Sequence, residues 1–165
     1  MKAARLIASG FGLGFTPKAP GTVASAAALV LGALLMLPGP GFLPLATFII
    51  LAAGMWAIGA VEREAGEAIG DPGWIVIDEV AGQLVALLGL ARPTTAGQGV
   101  IGFAGAFLLF RLLDIAKPGP VGWADRHRGS AAIMGDDLVA GAIAAGILWA
   151  IGRWVAGGHF PSLFG

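Results

Sequence analysis

The sequence predicts an all-α fold, a single-domain integral membrane bundle of about five apolar helices with a polar site facing the cytoplasm. Three observations predict it. Of 165 residues, 57% are hydrophobic and 12% charged, against about 25% charged in soluble domains, and the mean hydropathy is +0.85. From Ala19 to Val61 no side chain is charged. That run is too long for one crossing of a hydrocarbon core about 30 Å thick, which needs about 20 residues. Finally, 28 glycines and abundant alanine suit helix packing in lipid, where small residues let backbones approach. The length suits one domain over residues 1–165.

The elements follow in order. Met1-Lys2-Ala3-Ala4-Arg5 precedes apolar residues, but Gly10, Gly12 and Gly14 and then Pro17-Lys18 interrupt them, a poor apolar region for a signal peptide. Pro38-Gly39-Pro40-Gly41 can neither continue a helix nor donate a full set of backbone hydrogen bonds, so it turns a helical hairpin with arms Thr22–Leu37 and Phe42–Val61. Ile75–Ala91 is apolar apart from Asp78, Glu79 and Gln83. Arg92-Pro93-Thr94-Thr95 breaks it, and Gly97–Ile115 completes a second hairpin. Leu138–Gly152 is the fifth segment, ended by Arg153 and a Gly-rich tail. Several of these are short for a full span, which fits tilted or re-entrant segments enclosed by protein.

Five crossings place Lys2, Arg5, Lys18, Arg63, Arg111, Lys117, Arg126 and Arg128 on one side and only Arg92 and Arg153 on the other. The excess of bases marks the cytoplasmic side. All ten acids (Glu62, Glu64, Glu67, Asp71, Asp78, Glu79, Asp114, Asp125, Asp136, Asp137) fall on that same side or at helix ends opening to it. The positive-inside rule does not require this, so the segregation points to a polar site at the cytoplasmic interface. A net charge of +0 provides no basic field for nucleic acid. The absence of cysteine excludes disulfides, thiolate metal sites and cysteine nucleophiles, and His127 and His159 are too few for a histidine zinc cage. Any chemistry falls to carboxylates.

Asp78 and Glu79 are the foremost candidates, because ionisable groups at membrane depth cost at least about 2.5–3.5 kcal/mol each. The plainer reading is a pair of acids complementing a helix dipole. Asp114 lies near a helix C-terminus, where the dipole disfavours it, and either pairs with Arg111 at i−3 or serves a metal or catalytic role. Asp136-Asp137 precedes the last apolar segment, so one of them is expected to cap it. Between Asp114 and Asp136 lie Lys117-Pro118-Gly119-Pro120 and Asp125-Arg126-His127-Arg128, either positive-inside loop chemistry or an anionic-lipid patch. Together these carboxylates suit a hard cation such as Mg²⁺, completed by phosphate oxygens, with Lys and Arg holding the remaining phosphate charge. Phosphate chemistry at a cytoplasmic membrane surface is the class implied.

Three stretches resemble the phosphatidylglycerophosphatase A family of bacterial membrane lipid phosphatases. They are Gly12-Leu13-Gly14-Phe15-Thr16-Pro17-Lys18-Ala19-Pro20-Gly21-Thr22; Asp71-Pro72-Gly73-Trp74-Ile75-Val76-Ile77-Asp78-Glu79-Val80-Ala81-Gly82; and Phe110-Arg111-Leu112-Leu113-Asp114-Ile115-Ala116-Lys117-Pro118 running through Asp125-Arg126 to Ile133-Met134-Gly135-Asp136-Asp137. They stand in the family's order and span most of the chain. Two departures are Gly129-Ser130-Ala131-Ala132, where a Gly-rich turn is expected, and Ala24, where glycine is frequent; neither removes a charged group.

The resemblance implies Mg²⁺-dependent removal of the terminal phosphate of phosphatidylglycerophosphate at the bacterial cytoplasmic (inner) membrane; the attacking group is either a metal-activated water, the preferred reading, or an aspartate that becomes phosphorylated, although no Asp-x-Asp pair of the haloacid-dehalogenase type occurs. It implies that Asp78, Glu79, Asp114, Asp136 and Asp137 are catalytic, with Asp78, Glu79, Asp114 and Asp137 as metal ligands and Asp71 a further carboxylate. Asp125 either orients Arg126 or gives a proton to the leaving alkoxide. Lys18, Thr22, Lys117 and Arg126 are the phosphate-binding candidates. Thr22 can alternatively cap the first long helix, whose Pro20-Gly21 start can also turn backbone N–H groups toward phosphate. Partners are then the lipid substrate and surrounding membrane lipids, with no nucleic acid. The rivals are a phosphatase for another anionic lipid, such as phosphatidic acid, and a small membrane transporter or scaffold. A transporter would spread its acids along a path across the bilayer.

Overall fold

A computed structural model describes residues 2–66, 72–90, 96–125 and 129–156. Among them the fold is all-helical: α1 (Lys2–Ala8), a 3₁₀ turn (Leu13–Phe15), α2 (Pro20–Met36), α3 (Phe42–Ala65), α4 (Ile77–Leu87), α5 (Ala96–Ala116), α6 (Pro120–Asp125) and α7 (Ser130–Ala156). Three of these, α3, α5 and α7, are long and apolar enough to cross a membrane. At 24, 21 and 27 residues they extend about 36, 31 and 40 Å at a rise of about 1.5 Å per residue. The expectation of about five spanning helices is thus loose. α2 has 17 residues and α4 has 11, so α4 cannot cross alone.

α4 is instead the hub of the bundle, packed against α2, α3, α5 and α7. Nine of its residues, from Ile77 to Leu87, are buried. A helix that is apolar on nearly every side belongs inside protein, and a helix ending at membrane depth is tolerated where protein encloses its open ends. Glycines make the enclosure possible. A Cβ on Gly141 of α7 would overlap the Gly82 carbonyl of α4, and one on Gly89 would overlap the backbone of Ala145. A Cβ on Gly82 itself would come within 2.6 Å of the Phe110 ring of α5 and 2.7 Å of the Asp137 carbonyl. The contacts with α7 are backbone against backbone, the close approach that small residues permit in lipid.

Facing pairs give the helix directions. Gly21 lies against Glu79 while Gly32 lies against Leu84 and Leu87, so α2 and α4 run parallel. Glu62, near the end of α3, meets Ser130 at the start of α7, and Gly102, early in α5, lies beside Leu90. Accordingly α2, α4 and α7 lead away from one end of the bundle and α3 and α5 lead toward it. That end carries Glu62, Glu64, Asp78, Glu79, Asp114, Asp136 and Asp137. Around the bundle, Leu34, Phe48, Ile49, Val100, Ile101, Leu108, Leu112 and Ile151 are exposed, an outward-facing apolar belt that suits lipid chains.

Helix boundaries differ from expectation most at α7, which starts at Ser130 rather than near Leu138. Neither Asp136 nor Asp137 is therefore its cap. The acceptor comes from elsewhere in the chain: Glu62 Oε2 accepts the Ser130 N–H at 3.0 Å. Likewise Thr22 is the third residue of α2, behind Ala19 at the cap and Pro20 at the first position, so it does not cap the helix. α3 continues past Val61 through Glu62-Arg63-Glu64 and stops at Gly66, whose φ of 76° suits the left-handed end of a helix.

Candidate metal and phosphate site

The approach to α4 is braced before the helix begins. The Val76 N–H donates to the Ala8 carbonyl at 3.0 Å and Ile75 N–H to the Pro72 carbonyl at 2.8 Å. Phe15 and Trp74 stack with ring centroids 6.1 Å apart, and Gly14 sits so close to the Trp74 carbonyl that any side chain there would collide with it. Asp78 and Glu79 then fall in the first turn of α4, where the helix dipole favours acids. The plainer reading, acids complementing a helix dipole, thus matches their position.

Asp137 approaches from α7. Its carbonyl rests against the bare Cα of Gly82, one turn beyond Asp78 on α4, so the small residue sets how near the carboxylates come. Asp78, Glu79 and Asp137 each offer an oxygen, and these oxygens lie within 4.8 Å of one another. Oxygens around a Mg²⁺ at about 2.1 Å stand about 3 Å apart when adjacent and about 4.2 Å when opposite. Three convergent carboxylate oxygens at this spacing are therefore near the required geometry, and hard oxygen donors are the set this cation takes. Glu79 Oε2 is buried and has no hydrogen-bond partner, as expected of an oxygen kept for a ligand. The Glu79 carboxyl is largely enclosed, with the carboxyls of Asp78 and Asp114 and the guanidinium of Arg111 beside it. A cation at this point would offset both the burial and the mutual repulsion.

Asp114 and Arg111 of α5 flank the trio. Arg111 Nη1 lies 2.5 Å from Asp114 Oδ2, the pairing expected at i, i−3, and Asp114 also reaches Asp137 at hydrogen-bonding range. Asp114 thus touches the cluster without belonging to the three-oxygen set, so three of the four expected metal ligands converge. Arg111 also stands beside Gly21, 3.4 Å from where a Cβ would be, and its Nε is buried with no hydrogen-bond partner. Sequence reasoning used Arg111 only to explain Asp114. The signal available was that a lone arginine one turn before an intramembrane acid shares that acid's face and hence its site.

Adjacent residues on a helix point about 100° apart, and Asp136 accordingly diverges from Asp137. Its Oδ2 accepts from Lys117 Nζ at 2.8 Å, which places the expected phosphate ligand Lys117 on a buried carboxylate. Lys18 is exposed in the turn before α2 and Thr22 is half-buried in the first turn of that helix. The side chain of Asp125 and all of Asp71 and Arg126 lie outside the described residues.

Comparison with known proteins bears on this arrangement. A family model described as "PgpA: Phosphatidylglycerophosphatase A" matches residues 6–152. The chain is 38% identical over 157 residues to phosphatidylglycerophosphatase A of Escherichia coli strain K12, covering 94% of this chain and 84% of that protein. It is 34% identical over 154 residues to the protein of that name in Haemophilus influenzae, covering 91% and 89%. It is also 38% identical over 157 residues to a Bacteroides thetaiotaomicron protein named as a candidate phosphatidylinositol-3-phosphatase, covering 92% and 94%. No solved structure matches.

Proposed function

The chain belongs to the phosphatidylglycerophosphatase A family, and from that premise we propose that it hydrolyses the terminal phosphate of phosphatidylglycerophosphate, giving phosphatidylglycerol and inorganic phosphate, with Mg²⁺ as cofactor. The observation that carries the reading is the convergence of Asp78, Glu79 and Asp137 within 4.8 Å next to the guanidinium of Arg111. Mg²⁺ bound there supplies charge neutralisation for the phosphate ester and a water of lowered pKa.

The chain's own residues supply the rest. Asp78 and Glu79 from α4 and Asp137 from α7 hold the cation between two helices locked at Gly82 and Gly141. Arg111 binds the phosphate oxygens, its planar fork matching them better than a lysine's point charge, and Asp114 fixes the direction of that fork. Gly21 leaves room at the start of α2 for the Glu79 carboxylate. Lys117 is engaged on Asp136, which diverges from the trio, whereas Arg111 and Glu79 both stand beside Gly21, which makes Arg111 the better placed cation.

We place the protein in the bacterial cytoplasmic membrane with this end of the bundle toward the cytoplasm. The clustering of Lys2, Arg5, Lys18, Arg63, Arg111 and Lys117 at the carboxylate end supports that orientation. A second substrate is favoured by one specific observation, the similarity to the protein named for a phosphoinositide: a phosphatase of this family could accept another phosphomonoester lipid. The test is phosphate release by the purified protein in detergent from phosphatidylglycerophosphate, phosphatidic acid and phosphatidylinositol 3-phosphate, with Mg²⁺ and then with EDTA. Mg²⁺-dependent release confined to the first lipid is expected. Release from the others alone would replace the substrate, and release undiminished by EDTA would remove the metal.

A further inference from the structure

Gln83 is wholly buried, and neither its Oε1 nor its Nε2 has a hydrogen-bond partner. A buried carboxamide without partners is costly, and native proteins rarely tolerate one without a use. Its place explains the use. Gln83 follows Glu79 by four residues, so it lies on the same face of α4, about 6 Å further from the polar end. Beyond it the helix is entirely apolar, and Leu84 and Leu87 press on Gly32 of α2. It is the last polar group before the core.

The chemistry of the neighbouring groups narrows what it can bind. The carboxyl oxygens of Asp78, Glu79, Asp114 and Asp137 suit a cation, and the guanidinium of Arg111, which only donates hydrogen bonds, suits an anion. A carboxamide is neutral and both donates and accepts hydrogen bonds, as an alcohol does. An anionic phosphate gains more from the guanidinium, so the neutral amide is matched to a neutral hydroxyl.

In phosphatidylglycerophosphate the terminal phosphate is the part furthest from the acyl chains, and the headgroup's free hydroxyl stands on the glycerol carbon between the two phosphates. With the terminal phosphate at the level of Glu79 and Arg111, the hydroxyl falls deeper, toward Gln83. We propose that Gln83 is a specificity-determining residue whose carboxamide binds this headgroup hydroxyl. The proposal rests on the substrate proposed above.

The test uses the full-length protein in detergent with Mg²⁺ and two lipids: phosphatidylglycerophosphate and its analogue with hydrogen in place of the headgroup hydroxyl. kcat/KM and the thermal unfolding temperature are measured for the wild type, Gln83→Met and Gln83→Leu, the methionine being closest in shape should the leucine fail to fold. The wild type is expected to prefer the hydroxylated lipid by about tenfold or more, because a site built for a hydroxyl rejects the analogue lacking it. The variants should lose that preference by slowing on the natural lipid only, with an unfolding temperature no lower than the wild type's.

Equal turnover of both lipids by the wild type overturns the proposal. So does an equal loss on both lipids in the variants, which would mark a general structural role. No release from phosphatidylglycerophosphate by the wild type would instead sink the substrate assignment itself, so the two failures are distinguishable.

Discussion

The carboxylate of Glu79 rests against the bare Cα of Gly21, so closely that a methyl group there would overlap Oε1. The colliding atom is the tip of a flexible side chain, so Gly21→Ala moves the carboxylate and leaves the backbone where it is. Thermal unfolding should change little while kcat falls about 10- to 100-fold, the scale of loss when a catalytic group is misplaced by about 1 Å. Gly146, which has open space around it, provides the control: Gly146→Ala should keep full turnover. Unaltered kinetics in Gly21→Ala would mean that the position of Glu79 is immaterial.

Asp136 and Asp137 are neighbours in sequence but not in environment. Asp137→Asn removes a charge from the converging trio and should lower Mg²⁺-dependent phosphate release by about 100-fold or more, as loss of a charge-stabilising group does. Asp78→Asn should do the same. Asp136→Asn keeps an oxygen for Lys117, so it should retain about a tenth of the activity or better. Equal losses at 136 and 137 would refute the separation.

Glu62 caps a helix that begins 68 residues later in the chain. Glu62→Ala leaves the Ser130 N–H without its acceptor and should lower stability by about 0.5–2 kcal/mol, read as a drop in unfolding temperature. Glu62→Gln retains an acceptor oxygen and should recover most of it. Identical unfolding temperatures for the alanine variant and the wild type would show that water serves Ser130 as well.

The absence of cysteine provides a clean background for mapping sidedness. Trp123→Cys, near the carboxylate end, should resist a membrane-impermeant maleimide applied to intact cells. Arg153→Cys, at the opposite end of α7, should react. The reverse pattern would invert the orientation.

The apolar run and the Pro-Gly turn at 38–41 made the first hairpin legible, because a lipid-exposed helix is specified by composition and length alone. α7 was legible only from its apolar part. Ser130–Gly135 lies before the apolar run, and its helix start is capped by Glu62 from a distant part of the chain. α4 stayed open between a span and an enclosed segment for a related reason: an apolar segment reads alike whether lipid or protein surrounds it, and the glycines that enclose α4 reveal their role only through their partners on α7. Asp78, Glu79 and Asp137 stood out because charge is conspicuous in an apolar chain. Arg111 and Gln83 did not, since one seemed accounted for by Asp114 and the other carries no charge.

The enclosure of α4 also bears on how the protein is made. Its wrapping comes partly from α5 and α7, which leave the ribosome after it. Until they arrive, Asp78, Glu79 and Gln83 have only α2 and α3 for company, on a helix too short to lodge stably in a bilayer by itself. Membrane insertion of this chain therefore cannot be a sequence of independent steps: α4 must wait at the interface or beside the translocation machinery until α7 is delivered. Truncation before Ser130 should leave a nascent chain whose central helix is not yet embedded.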